Sequence, residues 1–126
     1  MNTIDEAVMK YFDDCKKGCS NLIASKDLYE AIQKKEKLFM LDIRRPEDFA
    51  KNQINGSINI YWSEVGEFID VLPMDEKIIV ICYTGQTSGQ VVSLLKVLGY
   101  DAYSLSGGMI NGWMKGSLPV QAGCST

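Results

Sequence analysis

The chain of 126 residues contains no histidine. That absence removes Ser–His and Cys–His catalysis and every zinc site that needs an imidazole. Any nucleophile here must be activated in some other way. Cysteine pairs at CxxC spacing are missing too. The four cysteines, Cys15, Cys19, Cys82 and Cys124, are irregularly placed, and an all-thiolate zinc site would need every one of them. No metal site and no cofactor is therefore expected. Basic blocks are absent from a chain of formal charge −3, so it lacks the electrostatic footprint of a nucleic-acid binder. No apolar run approaches the ~18 residues of a membrane span. The opening residues, MNTIDEAVMKYFDDCKK, carry acids where a secretory signal needs bases. The expectation is a cytoplasmic protein with neither nucleic acid nor membrane as partner. Nothing in the pattern specifies an oligomeric state.

What is present centres on Lys77–Gly89, KIIVICYTGQTSG. An unbroken β-branched run, Ile78-Ile79-Val80-Ile81, ends at a thiol, Cys82. The chain then turns through Tyr83, Thr84, Gly85 and Gln86 and reads as helix from Thr87. A free cysteine is commonly just a small buried hydrophobe. At a strand end, before a polar loop and a helix N-terminus, it can instead be a thiolate held by backbone N–H groups. A phosphatase loop of this layout needs an arginine six residues after the cysteine; that position is Ser88, and the loop has no Arg or Lys. A P-loop is excluded because no Gly-Lys-Ser/Thr follows the strand.

The rest of the chain alternates strand and helix patterns. Ile4, Ala7, Val8, Tyr11, Phe12 and Cys15 share one helical face, ended by Lys16, Lys17 and Gly18. Cys15 is expected to be half-buried and Cys19 on the solvent side. Asn21–Ala24 is a short strand candidate, and Ser25 is placed to cap a helix with Leu28, Ala31 and Ile32 inward. Leu38–Ile43 has the composition of a strand covered on both faces. Asp42 within it must be paired, with Arg44 or Arg45 as partner. Pro46 starts a short helix, and Ser57–Ile60 is a short strand. Trp62, Val65, Phe68, Ile69 and Leu72 have helical spacing, and Trp62 is expected in the core. Val91, Leu94, Leu95 and Leu98 share a helical face that Val92 and Val97 widen, so that helix should be largely buried. Asp101–Leu105 is the last strand, followed by Ser106-Gly107-Gly108 and a short helix with Met109, Ile110, Trp113 and Met114. The pattern predicts an α/β fold: a mostly parallel central sheet with helices on both faces, preceded by an extra N-terminal amphipathic helix. The expected limits are an N-terminal helix in 1–20, one domain over 21–118 and a loosely ordered tail over 119–126. In such sheets ligands bind beyond the carboxyl ends of the strands, where Cys82, Asp42–Pro46 and Ser106–Gly108 all fall.

Three segments together carry a family resemblance. Cys82-Tyr83-Thr84-Gly85-Gln86-Thr87 resembles the Cys-x-x-Gly-x-Arg/Thr loop of rhodanese-domain sulfurtransferases. Leu41-Asp42-Ile43-Arg44-Arg45-Pro46-Glu47-Asp48-Phe49, continuing to Ile54–Ile60, is similar to the family's Asp-Val-Arg signature. Leu98–Gly108 with Trp113 is similar to its closing signature. The resemblance spans about residues 21–118, in order and at matching spacing.

The resemblance implies a single-domain sulfurtransferase. Cys82 would take a sulfane sulfur from a small donor such as thiosulfate, a persulfide or a polysulfide. The acceptor would be cyanide, a thiol or a protein cysteine. Tyr83, Thr84, Gly85, Gln86, Thr87 and Ser88 would form the substrate-binding cradle, with Asp42 and Arg44 as supporting neighbours. Tyr83 is either a shielding wall or a substrate-binding ring; Trp113 and Gly107-Gly108 are structural. Many thiosulfate-using members carry Arg or Lys in the loop, whereas this chain has Tyr83 and Gln86; Gln53 and Asn55 replace the family's usual His and Pro. Two other readings are open. One is a non-catalytic rhodanese-like binding or regulatory module. The other is a thiol redox or metalloid-reducing enzyme using Cys82 with Cys15, Cys19 or Cys124 as resolving thiol.

Overall fold

Short strands separated by helical crossovers pair in parallel, because only a crossover returns the chain to the same end of the sheet. The structure, a computed structural model, describes residues 3–123. In chain order the elements are α1 (Thr3–Lys16), β1 (Leu22–Ile23), α2 (Ser25–Gln33), β2 (Leu38–Asp42), α3 (Pro46–Lys51) and β3 (Ile58–Asn59). They continue with a 3₁₀ segment (Trp62–Val71), β4 (Lys77–Ile81), α4 (Gln86–Val97), β5 (Ala102–Leu105) and a π-helical turn (Gly108–Trp113). The five strands form one parallel sheet in the order β1-β5-β4-β2-β3. The α/β expectation, with an added N-terminal helix, holds.

β4 lies at the centre, and Ile78, Ile79, Val80 and Ile81 are wholly buried. Their alternation divides the core in two. Ile78 and Val80, with Leu41 of β2 and Ala102 of β5, pack against Val65 and Leu72 around the 3₁₀ segment and Val91, Val92 and Leu95 of α4. Ile79 and Ile81, with Met40 and Leu105, pack on the other face against Leu28 of α2 and Met109 and Trp113 of the π turn. Asp42 is in register with Ile81, so the carboxyl ends of β2 and β4 present their following loops side by side.

Several local expectations are corrected. The buried stripe of α4 is Ser88, Val91, Val92 and Leu95, spaced i, i+3, i+4, i+7; Leu94 is 68% exposed and Leu98 is exposed as well. Leucines on the adjacent stripe point away from the sheet, and with Ile4, Trp62, Val65 and Ile69 they line an apolar groove of about 530 Å³. Trp62 is accordingly half exposed rather than core. No residue of α1 is buried. Its apolar face is wider than its contact with the body, where Tyr11 hydroxyl meets Ser93 Oγ at 3.1 Å and accepts from Asn21 Nδ2 at 2.7 Å. Cys15 and Cys19 are both exposed. Ser25 is the first residue of α2 rather than its cap; Ala24 caps without a side-chain bond, and Ser25 Oγ is buried without a partner.

The segment expected to be loose is tied down as far as Gly123. Trp113 Nε1 donates to Pro119 O at 2.8 Å, Gln53 and Gln121 exchange both backbone bonds, and Gly123 N donates to Ala50 O. Cys124 and the last two residues lie outside the described residues. Among the described residues no helix is long and apolar enough to cross a membrane.

The two leucines of α4 separate the buried from the exposed stripe. Leu95→Ala should lower unfolding free energy by about 2–5 kcal/mol, and Leu94→Ala by under about 0.5 kcal/mol. Equal losses in urea denaturation would contradict this assignment of faces.

Candidate active site

Cys82 is the first residue beyond β4 and is 3% exposed. The chain must reverse from strand into helix within a few residues, and Gly85 makes this possible with φ +99° at the N-cap of α4. The first turn of a helix leaves N–H groups without backbone acceptors. Here the Cys82 sulfur accepts two of them: Gly85 N–H at 3.1 Å and Ser88 N–H at 3.4 Å. The thiol occupies the position a capping oxygen ordinarily takes, at the positive end of the α4 dipole. The thiol donates in turn to Ser88 Oγ, 3.2 Å away.

The loop is closed from beneath by the π turn. Met109 N–H donates to the Cys82 carbonyl at 2.9 Å and Ile110 N–H to the Tyr83 carbonyl at 2.8 Å. This approach requires a glycine before Met109. A Cβ at Gly108, where φ is +61°, would stand 2.6 Å from the Cys82 carbonyl oxygen and from the Tyr83 carbonyl. The structural role expected of Gly107-Gly108 and Trp113 thus takes a definite form at Gly108, which fixes the floor of the site.

The β2–α3 loop forms the adjoining wall. Asp42 is fully buried and Arg44 is 3% exposed. Arg44 Nε donates to Asp42 Oδ1 at 3.0 Å and Nη2 to Oδ2 at 2.9 Å, and the Arg44 amide also donates to Oδ1. Of the two candidate partners it is thus Arg44 that neutralises Asp42. Burial pushes the Asp42 carboxyl above its ordinary value, against the opposing pull of Arg44. The remaining donors of Arg44 reach Asn52, Nη1 to the side-chain oxygen at 3.0 Å and Nη2 to the carbonyl at 2.6 Å. Asn59 Nδ2 donates to the carbonyls of Asp42 and Arg44, locking β3 to this loop.

Tyr83 joins the two halves. Its hydroxyl donates to Asp48 Oδ2 at 2.5 Å and accepts from Arg45 N–H at 3.2 Å, while the Arg44 guanidinium carbon lies 5.9 Å from its ring centre. Burial and the Asp48 bond push the phenol above its ordinary value, which keeps it a neutral donor. Tyr83 is thus strapped to α3 through its hydroxyl. Thr84 and Gln86 are exposed and Thr87 is half-buried. Among the described residues the hydrogen bonds to Sγ come from Gly85 and Ser88, with none from the hydroxyls of Thr84 and Thr87. Cys19 precedes the amino end of β1, whereas Cys82 follows the carboxyl end of β4. No group of residues that could hold a metal occurs among those described. Sequence reasoning assigns no site role to Asp48, Asn52, Asn59 or Ser104. Asp48 and Asn52 follow Arg44 at four and eight residues, a spacing that puts both within reach once α3 forms.

Residues 24–115 match the model of the rhodanese-like domain. The chain is similar to the thiosulfate sulfurtransferase GlpE of Actinobacillus succinogenes, 34% identical over 87 residues that cover 68% of this chain and 78% of that protein. It is similar to the putative sulfurtransferase YtwF of Bacillus subtilis, 28% identical over 88 residues, 70% of this chain and 85% of the relative. Among solved structures, a rhodanese-related protein from Thermoplasma volcanium superposes with a TM-score of 0.73 at 35% identity, covering 80% of this chain and 97% of that one.

The buried ion pair makes a sharp prediction. Arg44→Ala leaves the Asp42 carboxylate unpaired and should destabilise the fold by about 3–5 kcal/mol. A thermal or urea midpoint indistinguishable from the parent would refute the bracing role.

Proposed function

Because the chain belongs to the rhodanese-like domain family, we propose that it is a sulfurtransferase that carries a sulfane sulfur as a persulfide on Cys82. The observation that carries the assignment to Cys82 is the sulfur's place at the start of α4, where it accepts the Gly85 and Ser88 amides. An anionic sulfur is stabilised there without an imidazole or a metal.

With thiosulfate as donor, the Cys82 thiolate attacks the outer sulfur. One S–S bond forms, the donor's S–S bond breaks, and sulfite leaves with the bonding pair. The charge stays on the terminal sulfur of the new persulfide. In the second half-reaction a thiolate or cyanide attacks that terminal sulfur, and Cys82 departs as thiolate. This is covalent, two-step chemistry in which the enzyme alternates between free and loaded forms. Electrons and charge balance in each half without any redox partner.

The donor class follows from charge. The loop 83–88 contains no cation, so within the loop itself a dianion has only hydroxyls and amides as donors. A persulfide or polysulfide, with its charge spread along a sulfur chain, suits this loop better than thiosulfate. The acceptor is a thiophilic small molecule or a protein cysteine.

Intact mass after incubation with thiosulfate or polysulfide tests the assignment: one sulfur should be added to the parent and none to Cys82→Ala. Peroxide-driven linkage of Cys82 to a second cysteine, with no sulfur added by any donor, would select the redox reading instead. Thiosulfate should turn over poorly, and Gln86→Arg should lower its KM by about tenfold, the worth of one charge-assisted bond. An unchanged KM in that variant would refute the electrostatic argument.

A further inference from the structure

Behind Cys82 two buried serines stand in line with the sulfur. Ser88 Oγ is 3.2 Å from Cys82 Sγ and 2.6 Å from Ser104 Oγ. Both serines are buried, and Ser104 comes from β5, where it is in register with Val80 of β4 and Leu22 of β1. Its neighbour on the same face of β5 is Ala102, packed in the apolar core beneath α4. A hydroxyl in such a place needs a partner, because a buried polar group without one bears its whole desolvation cost.

Counting donors and acceptors fixes the direction of the chain. Ser88 Oγ has two acceptors within reach, the Gly85 carbonyl at 3.1 Å and the Cys82 sulfur. Among the described residues the Ser104 hydroxyl has one partner, Ser88 Oγ. Were Ser88 to donate to Ser104, the Ser104 proton would be left without an acceptor. The satisfied arrangement has Ser104 donating to Ser88. The Ser88 proton is then free to point at either the Gly85 carbonyl or the sulfur. With the thiol protonated, S–H donates to Ser88 Oγ and Ser88 donates to Gly85. With the sulfur anionic, rotation of one hydroxyl turns the Ser88 proton onto Sγ. Donation from Ser104 behind it polarises that bond.

We propose that Ser104 is a positioning residue for sulfur transfer: by donating to Ser88 it commits the Ser88 proton to the loop side, where it stabilises the Cys82 thiolate as nucleophile and as leaving group. This rests on the reading of Cys82 as the sulfur carrier, so its test includes a measurement that needs no sulfur donor.

Alkylation of Cys82 by iodoacetamide at neutral pH, resolved at peptide level from the other cysteines, is that measurement. Discharge of the preloaded persulfide to a thiol in a single turnover is the second. Ser104→Ala should slow both about threefold, and Ser88→Ala by about tenfold or more. Ser104→Thr, which restores the hydroxyl, should recover the parent rates. In the Ser88→Ala background, Ser104→Ala should have no further effect, since the path to the sulfur is already cut. Parental alkylation rates in Ser104→Ala, or an equal slowing in the Ser88→Ala background, would overturn the proposal. Altered alkylation in a protein that no donor can load would preserve the relay and refute the sulfurtransferase reading.

Discussion

A carboxylate with no exposed surface, Asp42, sits at the end of β2 beside the end of β4, and the geometry of the site depends on how it is neutralised. Arg44 does so from two residues away, with a forked contact that a lysine could not reproduce. Once its guanidinium is held by Asp42, its remaining donors can reach only what lies alongside, and that is Asn52 at the end of α3. The β2–α3 loop is thereby rigid, and Asp48 and Arg45 meet the Tyr83 hydroxyl in fixed positions. The thiol loop borrows its rigidity from a neighbouring strand. An ion pair of this kind contributes little net stability against a hydrophobic substitute. Its effect here is to hold two loops at one spacing.

Much of this is legible in the residues because local patterns and global packing agree. The β-branched run before Cys82 marks a central strand, and the glycine three residues on marks the turn into a helix. Asp42 stands out as an anomaly, an acid in an apolar run, and two adjacent arginines are its candidate partners. Choosing between them requires knowing that the chain bends after Ile43 toward Asn52. The exposed stripe of α4 is hidden in the sequence because Leu94 and Leu98 are as apolar as Leu95; only the orientation of the helix on the sheet separates them. Trp62 misleads for a similar reason, since the spacing is right but the segment forms 3₁₀ turns at the rim of the core. Ser104 gives no signal at all. In DAYSL a serine looks like any strand residue, and its meaning comes from Ser88 of α4, distant in sequence and packed against it.

The tail illustrates how composition can mislead. Gly, Ser and Pro suggest chain with nothing to hold it, yet backbone pairing with Gln53 and Ala50 needs no particular side chain. The same pairing adds a clamp on α3, so that helix is held at its N-terminus by Tyr83 through Asp48, and near its C-terminus by Arg44 and the returning tail. α1, by contrast, buries no residue fully, and the Tyr11 hydroxyl ties it to Ser93 and Asn21.

The burial of Cys82 has a consequence for recognition between molecules. The bare sulfur lies almost flush with its loop, 3% exposed. On the proposed reading, a persulfide would extend this sulfur by one S–S bond of about 2 Å. On that reading, an acceptor would meet the transferable sulfur one bond length farther from the backbone than the sulfur the spent protein presents. Cargo and signal would then be the same atom, and an acceptor approaching the loop could distinguish the two forms by touch, without any change in the fold beneath.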